Sequence, residues 1–271
     1  MQPGHHEAIH VPVLHGQPWL HNATMHTIVI TGGGRGIGAA TALACASLGY
    51  AVAVNYARDA ASAEAVAAAA RDCGVPAMAL QGDVSDEAQV LAMFARVDAE
   101  LPPLHGLVNN AGVVDVASRV EAMSVARLQR MFAINVVGSF VCAREAVLRL
   151  STRHGHAGGS IVNLSSAAAR LGAPGNYVDY AASKGAIDTF TLGLAREVAA
   201  EGIRVNAVRP GIIDTDIHAS GGTPDRAQQL APQVPMQRAG SAAEVANAIV
   251  WLLSDAASYT TGSVIDVTGG R

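Results

Sequence analysis

The sequence has no block of lysine and arginine, no apolar run approaching the ~18 residues that span a bilayer, and only three cysteines. Without a basic block there is no phosphate track for nucleic acid, and the formal charge of −4 points the same way. Without a long apolar run, no membrane partner is expected. Cys45, Cys73 and Cys142 show no C-x-x-C spacing, so they read as buried reduced thiols of a cytoplasmic protein, not as ligands or disulfides. The opening MQPGHHEAIHVPVLHGQPWLHNAT has neither lysine nor arginine and no apolar core, so it does not make a secretory signal. It also lacks helical or strand periodicity. Residues 1–24 are therefore expected to be a disordered extension, with the functional chain starting at Met25 and one domain over 25–271. The histidines of that extension are irregularly spaced, and no metal site is expected.

What is present is apolar and glycine-rich. Half of the 271 residues are hydrophobic and 28 are glycine, enough for a well-buried core within one domain. Short β-branched runs recur at 26–31, 51–55, 77–81, 106–110, 160–165, 203–208 and 263–267. Alanine-rich stretches of helix formers separate them, such as 60–72 and 242–254. The strand runs are nearly continuous in hydrophobicity, as parallel strands covered on both faces must be. The alternation predicts an α/β Rossmann fold with a doubly wound, mostly parallel, seven-stranded sheet and helices on both faces.

Directly after the first expected strand comes TGGGRGIGAATALACASLG, 31–49. Glycines at a strand end allow a tight turn and a close approach of backbone N–H groups to a pyrophosphate, and the following helix aims its positive end at the same place. Gly32, Gly36 and Gly38 carry the pattern, spaced G-x-x-x-G-x-G. At the end of the second strand, where NAD-selective folds often hold an acid, stands neutral Asn55, with Arg58 just beyond and Arg35 inside the glycine loop. Two guanidiniums suit a 2′-phosphate and a carboxylate would repel it, so NADP(H) is favoured over NAD(H). Asp59 is read as a helix N-cap.

In NYVDYAASKGA, 176–186, Tyr180 and Lys184 are four apart and share a helix face, whereas Tyr177 has no such partner and reads as a plain aromatic. A phenol near pKa 10 is a poor base at neutral pH. A cation at about 4 Å contributes at most on the order of 4 kcal/mol at an effective dielectric of 20, enough to lower that pKa by roughly three units.

TGGGRGIG (31–38), GDV (82–84), NNAG (109–112), INVVG (134–138), NLSS (163–166), YAASK (180–184) and RPGIIDT (209–215) stand in an order that resembles the short-chain dehydrogenase/reductase family over 25–271. The resemblance implies a cofactor site of the glycine loop with Ile37, Asp83 and Val84 at the adenine, and Asn110, Ala111 and Gly112 closing it. Pro210, Gly211, Ile213 and Thr215 would face the nicotinamide, and Lys184 would also hold its ribose. Asn135 would anchor a water linked to Lys184, and Tyr180 would be the general acid/base. Ser166, preferred over Ser165, would orient the substrate oxygen. The family's usual spacing falls on Ala167 here, so this choice needs a one-residue insertion in 167–179. The stretch 216–240 resembles a substrate lid, in which His218 is read as a pocket or surface histidine.

The implied function is NADP(H)-dependent interconversion of a secondary alcohol and a carbonyl, in the manner of bacterial 3-oxoacyl-carrier-protein reductases or glucose 1-dehydrogenase-like members. The alternative is an NADP(H)-binding sensor without turnover. The resemblance further implies a small-molecule alcohol or carbonyl substrate and a homo-oligomer, tetramer or dimer, built on the apolar helices around 116–150 and 180–200.

Overall fold

A computed structural model of the chain describes residues 25–215, 222 and 225–271. The N-terminal extension and His218 lie outside the described residues, as does the first part of the expected lid.

Seven strands form one parallel sheet: β1 Thr27–Ile30, β2 Ala51–Tyr56, β3 Ala77–Gln81, β4 Leu104–Asn109, β5 Gly159–Leu164, β6 Ile203–Pro210 and a last strand, Val264–Val267, in the order β3-β2-β1-β4-β5-β6-last. The predicted doubly wound fold is the observed one. Every residue of β1 is fully buried, because each face of the strand meets a layer of helices. Ile28 and Ile30 point into one core with α1 (Gly36–Ser47), α2 (Ala60–Asp72) and the helix Ala242–Leu253. Val29 points into the other, with α3 (Glu87–Glu100), the helix Gly138–Leu150 and the C-terminal half of the helix Val178–Val198. This period-two division explains why the strands read as continuous apolar runs.

The helix ends follow their caps. Asp59 accepts from the Ser62 backbone N–H at 3.0 Å and begins α2 where expected. Ser241 and Glu244 form a reciprocal capping box ahead of Ala242–Leu253.

The strand order places the site. The chain leaves β1 toward β2 and β3, then returns to set β4 on the other side of β1. The loops after β1 and β4 therefore diverge at one crevice beyond the carboxyl ends of the strands, the switch point where such sheets bind ligands.

One expectation needs correction. Cys45 and Cys142 are buried and desolvation pushes their thiols up to about 12, but Cys73 is exposed at the end of α2. The helical run Val125–Leu150 meets the length and composition of a membrane span, although no unbroken apolar run does. Its arginines and Glu145 interrupt the sequence, yet they pair: Arg127 with Asp179, Arg149 with Asp98 and Glu145. Part of its apolar surface is spent on the sheet, through Cys142, Ala143, Ala146 and Leu150.

Candidate active site

The glycine loop is built for close approach. Gly32 and Gly36 adopt φ of +61° and +53°, a region that penalises any side chain. Gly38, in the first turn of α1, has no room for a Cβ: it would collide with the Gly32 carbonyl and sit 2.6 Å from Asn110 Nδ2. The α1 N-terminus begins at this loop, and its first turn holds no acid. A helix N-terminus and a turn with room only for glycine fit a pyrophosphate. Arg35 and Arg58 are both exposed at this end.

Neighbouring segments hold the loop. Asn110 Nδ2 donates to Thr31 O at 2.8 Å and Gly32 O at 2.9 Å. Thr31 Oγ1 accepts from the backbone N–H of Asn110 and of Ala111, both at 3.0 Å. Asn55 stands apart from the other expected cofactor ligands. It is buried; its Oδ1 accepts from Gly32 N at 3.2 Å, and its Nδ2 donates to Leu80 O at 3.2 Å and Gly82 O at 2.9 Å. The amide is spent bracing β2 against β3 and the glycine loop, so this side chain supports the site from beneath and does not face it. Asp83 Oδ1 accepts from Ser85 N and Oγ, while Val84 is buried against Gly138.

On the other side of the crevice lies a cavity of about 440 Å³. Its lining joins Ile37, Asn110, Gly112, Ser165, Ser166, Tyr180, Lys184, Pro210, Gly211, Ile213 and Thr215, so the cofactor-loop and catalytic expectations meet at one wall. Tyr180 and Lys184 rise from the helix Val178–Val198, and Lys184 Nζ lies 5.7 Å from the centre of the Tyr180 ring. A bidentate ion pair fixes the start of that helix: Arg127 donates to both oxygens of Asp179, at 2.8 and 3.2 Å, with Asp179 fully enclosed. Burial works against the Asp179 charge, but Arg127 and the backbone N–H of Tyr180 outweigh it and hold the carboxyl below its usual range.

The two serines separate by contact. Ser165 is buried and donates to the Lys184 carbonyl at 3.3 Å, a backbone tie. Ser166 hydrogen-bonds the Tyr180 phenol and accepts from Ala168 N at 3.1 Å. Asn135 occupies a π-helical turn, Ala133–Val137. Its Oδ1 accepts from Val113 N at 2.8 Å, while its Nδ2 donates to Val113 O at 3.0 Å and Ser183 Oγ at 3.1 Å. The amide thus pins the segment after β4 beside Gly112 and Lys184.

The electrostatics reverse one step of the sequence argument. Desolvation raises the Tyr180 phenol above its ordinary value, with only the Ser166 hydrogen bond pulling it down. The same burial pushes Lys184 down to about 8, opposed by Asp188 one turn on. A fixed-distance charge pair neglects that both partners leave water, and the penalty on each charged form exceeds the attraction across this separation. Lys184 Nζ donates at 2.6 Å to Leu164 O, so its ammonium is anchored to the strand end rather than to the phenol.

Three participants were not foreseen. Tyr177, read as a plain aromatic, lines the cavity, and Arg226 lies over its ring at 5.1 Å. Arg226 comes from the short helix Arg226–Leu230 inside the expected lid. Asp188 is clamped by Arg209, whose Nε and Nη2 donate to Oδ2 at 3.0 and 2.9 Å, while its Oδ1 is buried without a hydrogen bond. The i,i+4 spacing from Lys184 to Asp188 was visible in sequence. No local signal brings residue 226 to residue 177.

This fold and site place the chain in the short-chain dehydrogenase/reductase family, oxidoreductases that bind a nicotinamide cofactor. A family model described as enoyl-(acyl carrier protein) reductase matches residues 32–271. An uncharacterized oxidoreductase, YgfF, of Escherichia coli K12 is 56% identical over 247 residues, covering 91% of this chain and 100% of that protein. An NADPH-dependent aldehyde reductase-like chloroplastic protein of Arabidopsis thaliana is 36% identical, over 89% of this chain and 92% of its own length. The crystal structure of a short-chain type dehydrogenase/reductase from Mycobacterium marinum superposes with a TM-score of 0.84 at 33% identity, covering 91% of this chain and 95% of that one.

Proposed function

We propose that this protein is an NADPH-dependent carbonyl reductase acting on small aldehydes or ketones, with Tyr180 as its proton donor and Ser166 orienting the carbonyl oxygen. The observation that carries the reading is the cavity whose lining joins Tyr180, Ser166 and Lys184 with Ile37, just after the glycine loop, and with the 210–215 segment. When bound, the cofactor supplies a hydride to the carbonyl carbon. The chain must then protonate the developing alkoxide. A phenol held above its ordinary pKa is protonated at neutral pH and hydrogen-bonded by Ser166, which suits it to donate. Lys184 near 8 remains largely cationic at pH 7 and stabilises the phenolate that donation leaves.

Preference for NADPH rests on Arg35 and Arg58, exposed beside the glycine loop with no carboxylate within ion-pair distance among the described residues. The A. thaliana relative, named as NADPH-dependent, points the same way. Apolar residues left exposed on 125–150 and 178–198, including Phe132, Val137, Phe140 and Leu192, with Phe140 stacked on Phe190 at 3.7 Å, offer a face for a second copy of the chain.

The test is NADPH oxidation at 340 nm across a panel of aldehydes and ketones, with Tyr180→Phe alongside. Turnover by the parent and a fall of about 10²–10⁴-fold in the variant, with NADPH binding retained, is the expected result. Binding without turnover on any substrate would instead favour a sensor.

A further inference from the structure

The arginines of this chain are mostly paired. Arg71, Arg96, Arg119, Arg127, Arg130, Arg144, Arg149, Arg153, Arg170, Arg209 and Arg238 each hold a carboxylate, and Arg204 donates to three backbone carbonyls. Among the described residues, Arg35 and Arg58 have no carboxylate within ion-pair distance at the cofactor end, although Arg35 lies close enough to Asp59 to favour its charged form. Among the described residues, Arg196, Arg226 and Arg271 have no acidic partner within ion-pair distance either; Arg226 and Arg271 line the cavity that contains Tyr180, and Arg271 also lines a neighbouring cavity with Asp266. The Tyr180 cavity has no aspartate or glutamate in its lining among the described residues, whereas Lys184 adds a third cationic group. The nearest acid along the chain, Asp225, is exposed and opens the short helix. Asp179, next to Tyr180, is already saturated by Arg127.

Arg226 is also held in place. Its guanidinium lies over the Tyr177 ring at 5.1 Å, so it is half-buried and partly ordered before any ligand arrives. A guanidinium in that state presents a planar donor fork, which carboxylates match with two parallel hydrogen bonds. Val114, Ala167, Ala168, Leu171, Ala173 and Pro174 add an apolar stretch to the lining, with Asn176 beside it, and this stretch suits a short hydrocarbon body.

Building on the reductase reading, we infer that the substrate is an oxo acid: a carbonyl compound whose far end carries a carboxylate held by Arg226, with Arg271 as a second guanidinium on the same cavity. Hydride and proton add across the carbonyl as in the parent reaction, and the carboxylate takes no part in bond changes.

The test compares 4-formylbenzoate with 4-formylbenzamide, which have nearly the same shape and differ in charge. Both are measured for kcat/KM with NADPH and, by calorimetry on the NADPH-bound Tyr180→Phe variant, for Kd without turnover. The expected result is a preference of tenfold or more for the carboxylate in both assays. That preference should collapse toward one in Arg226→Met and be partly kept in Arg226→Lys. 4-Formylphenyl phosphate distinguishes a carboxylate site from a general anion site, and its binding ahead of 4-formylbenzoate would overturn the assignment. Equal constants for acid and amide in the parent would overturn it too, as would an Arg226→Met variant that loses NADPH affinity while keeping the acid-to-amide ratio. Selective binding of the acid with no turnover of either aldehyde would support the anion site and refute the reductase reading instead.

Discussion

Asn55 separates a cofactor contact from a structural brace. Replacing it with alanine deletes three side-chain hydrogen bonds, to Gly32 N, Leu80 O and Gly82 O, in a site that water cannot refill. At about 1 kcal/mol net per bond, rising where a buried partner is stranded, the loss is about 3 kcal/mol. In a domain of this size that corresponds to a fall in Tm of about 6–12 °C. Asn55→Asp is the sharper test, because an acid at this position would favour NADH if the side chain faced the ribose. Here the new carboxylate would instead confront the carbonyls of Leu80 and Gly82, which need donors. We expect Asn55→Asp to melt at or below the alanine variant at pH 7 and to gain no preference for NADH. The sign of its pH dependence follows. A carboxyl pressed against two acceptors has a folded pKa above its unfolded value, so its proton stabilises at low pH and the benefit is lost as pH rises through the folded pKa. The gap from the parent, followed by scanning calorimetry, should narrow on acidification. An Asn55→Asp protein with parental Tm and a kcat/KM ratio switched toward NADH would refute the reasoning.

Three further outcomes follow from the charges around Tyr180. Asp188 opposes the burial that depresses Lys184 to about 8, so Asp188→Asn should lower that pKa further and move the alkaline limb of the kcat/KM profile to lower pH, while a purely structural Asp188 would change rate without moving the limb. Between pH 8 and 10.5 the unfolded chain keeps a proton that native Lys184 has shed, so this group makes stability rise with pH across that window. Arg127→Ala leaves the enclosed Asp179 carboxylate unpaired and should cost about 3–5 kcal/mol, read as a lower urea midpoint that Arg127→Lys restores only in part.

The sequence by itself determined the layered α/β fold, the strands of the main sheet to within a residue or two at most ends, and the helix Ala60–Asp72. These rest on short-range rules: hydrophobic period, glycine at forced turns, and caps such as Asp59. It also placed the glycine loop and the other strand ends at one crevice, because the ends of parallel strands must face one side. Tertiary structure decided what each polar group does there. Asn55 looks like a site ligand in sequence, yet neighbouring backbone engages its amide, and only the three-dimensional register of β2 and β3 sets those partners. The choice of Ser166 over Ser165 turned on which hydroxyl faces the phenol. The pKa values of Tyr180 and Lys184 depend on burial, which spacing along a helix does not encode. Arg226 reaches Tyr177 across 49 positions of sequence, and only folding brings that charge to the cavity.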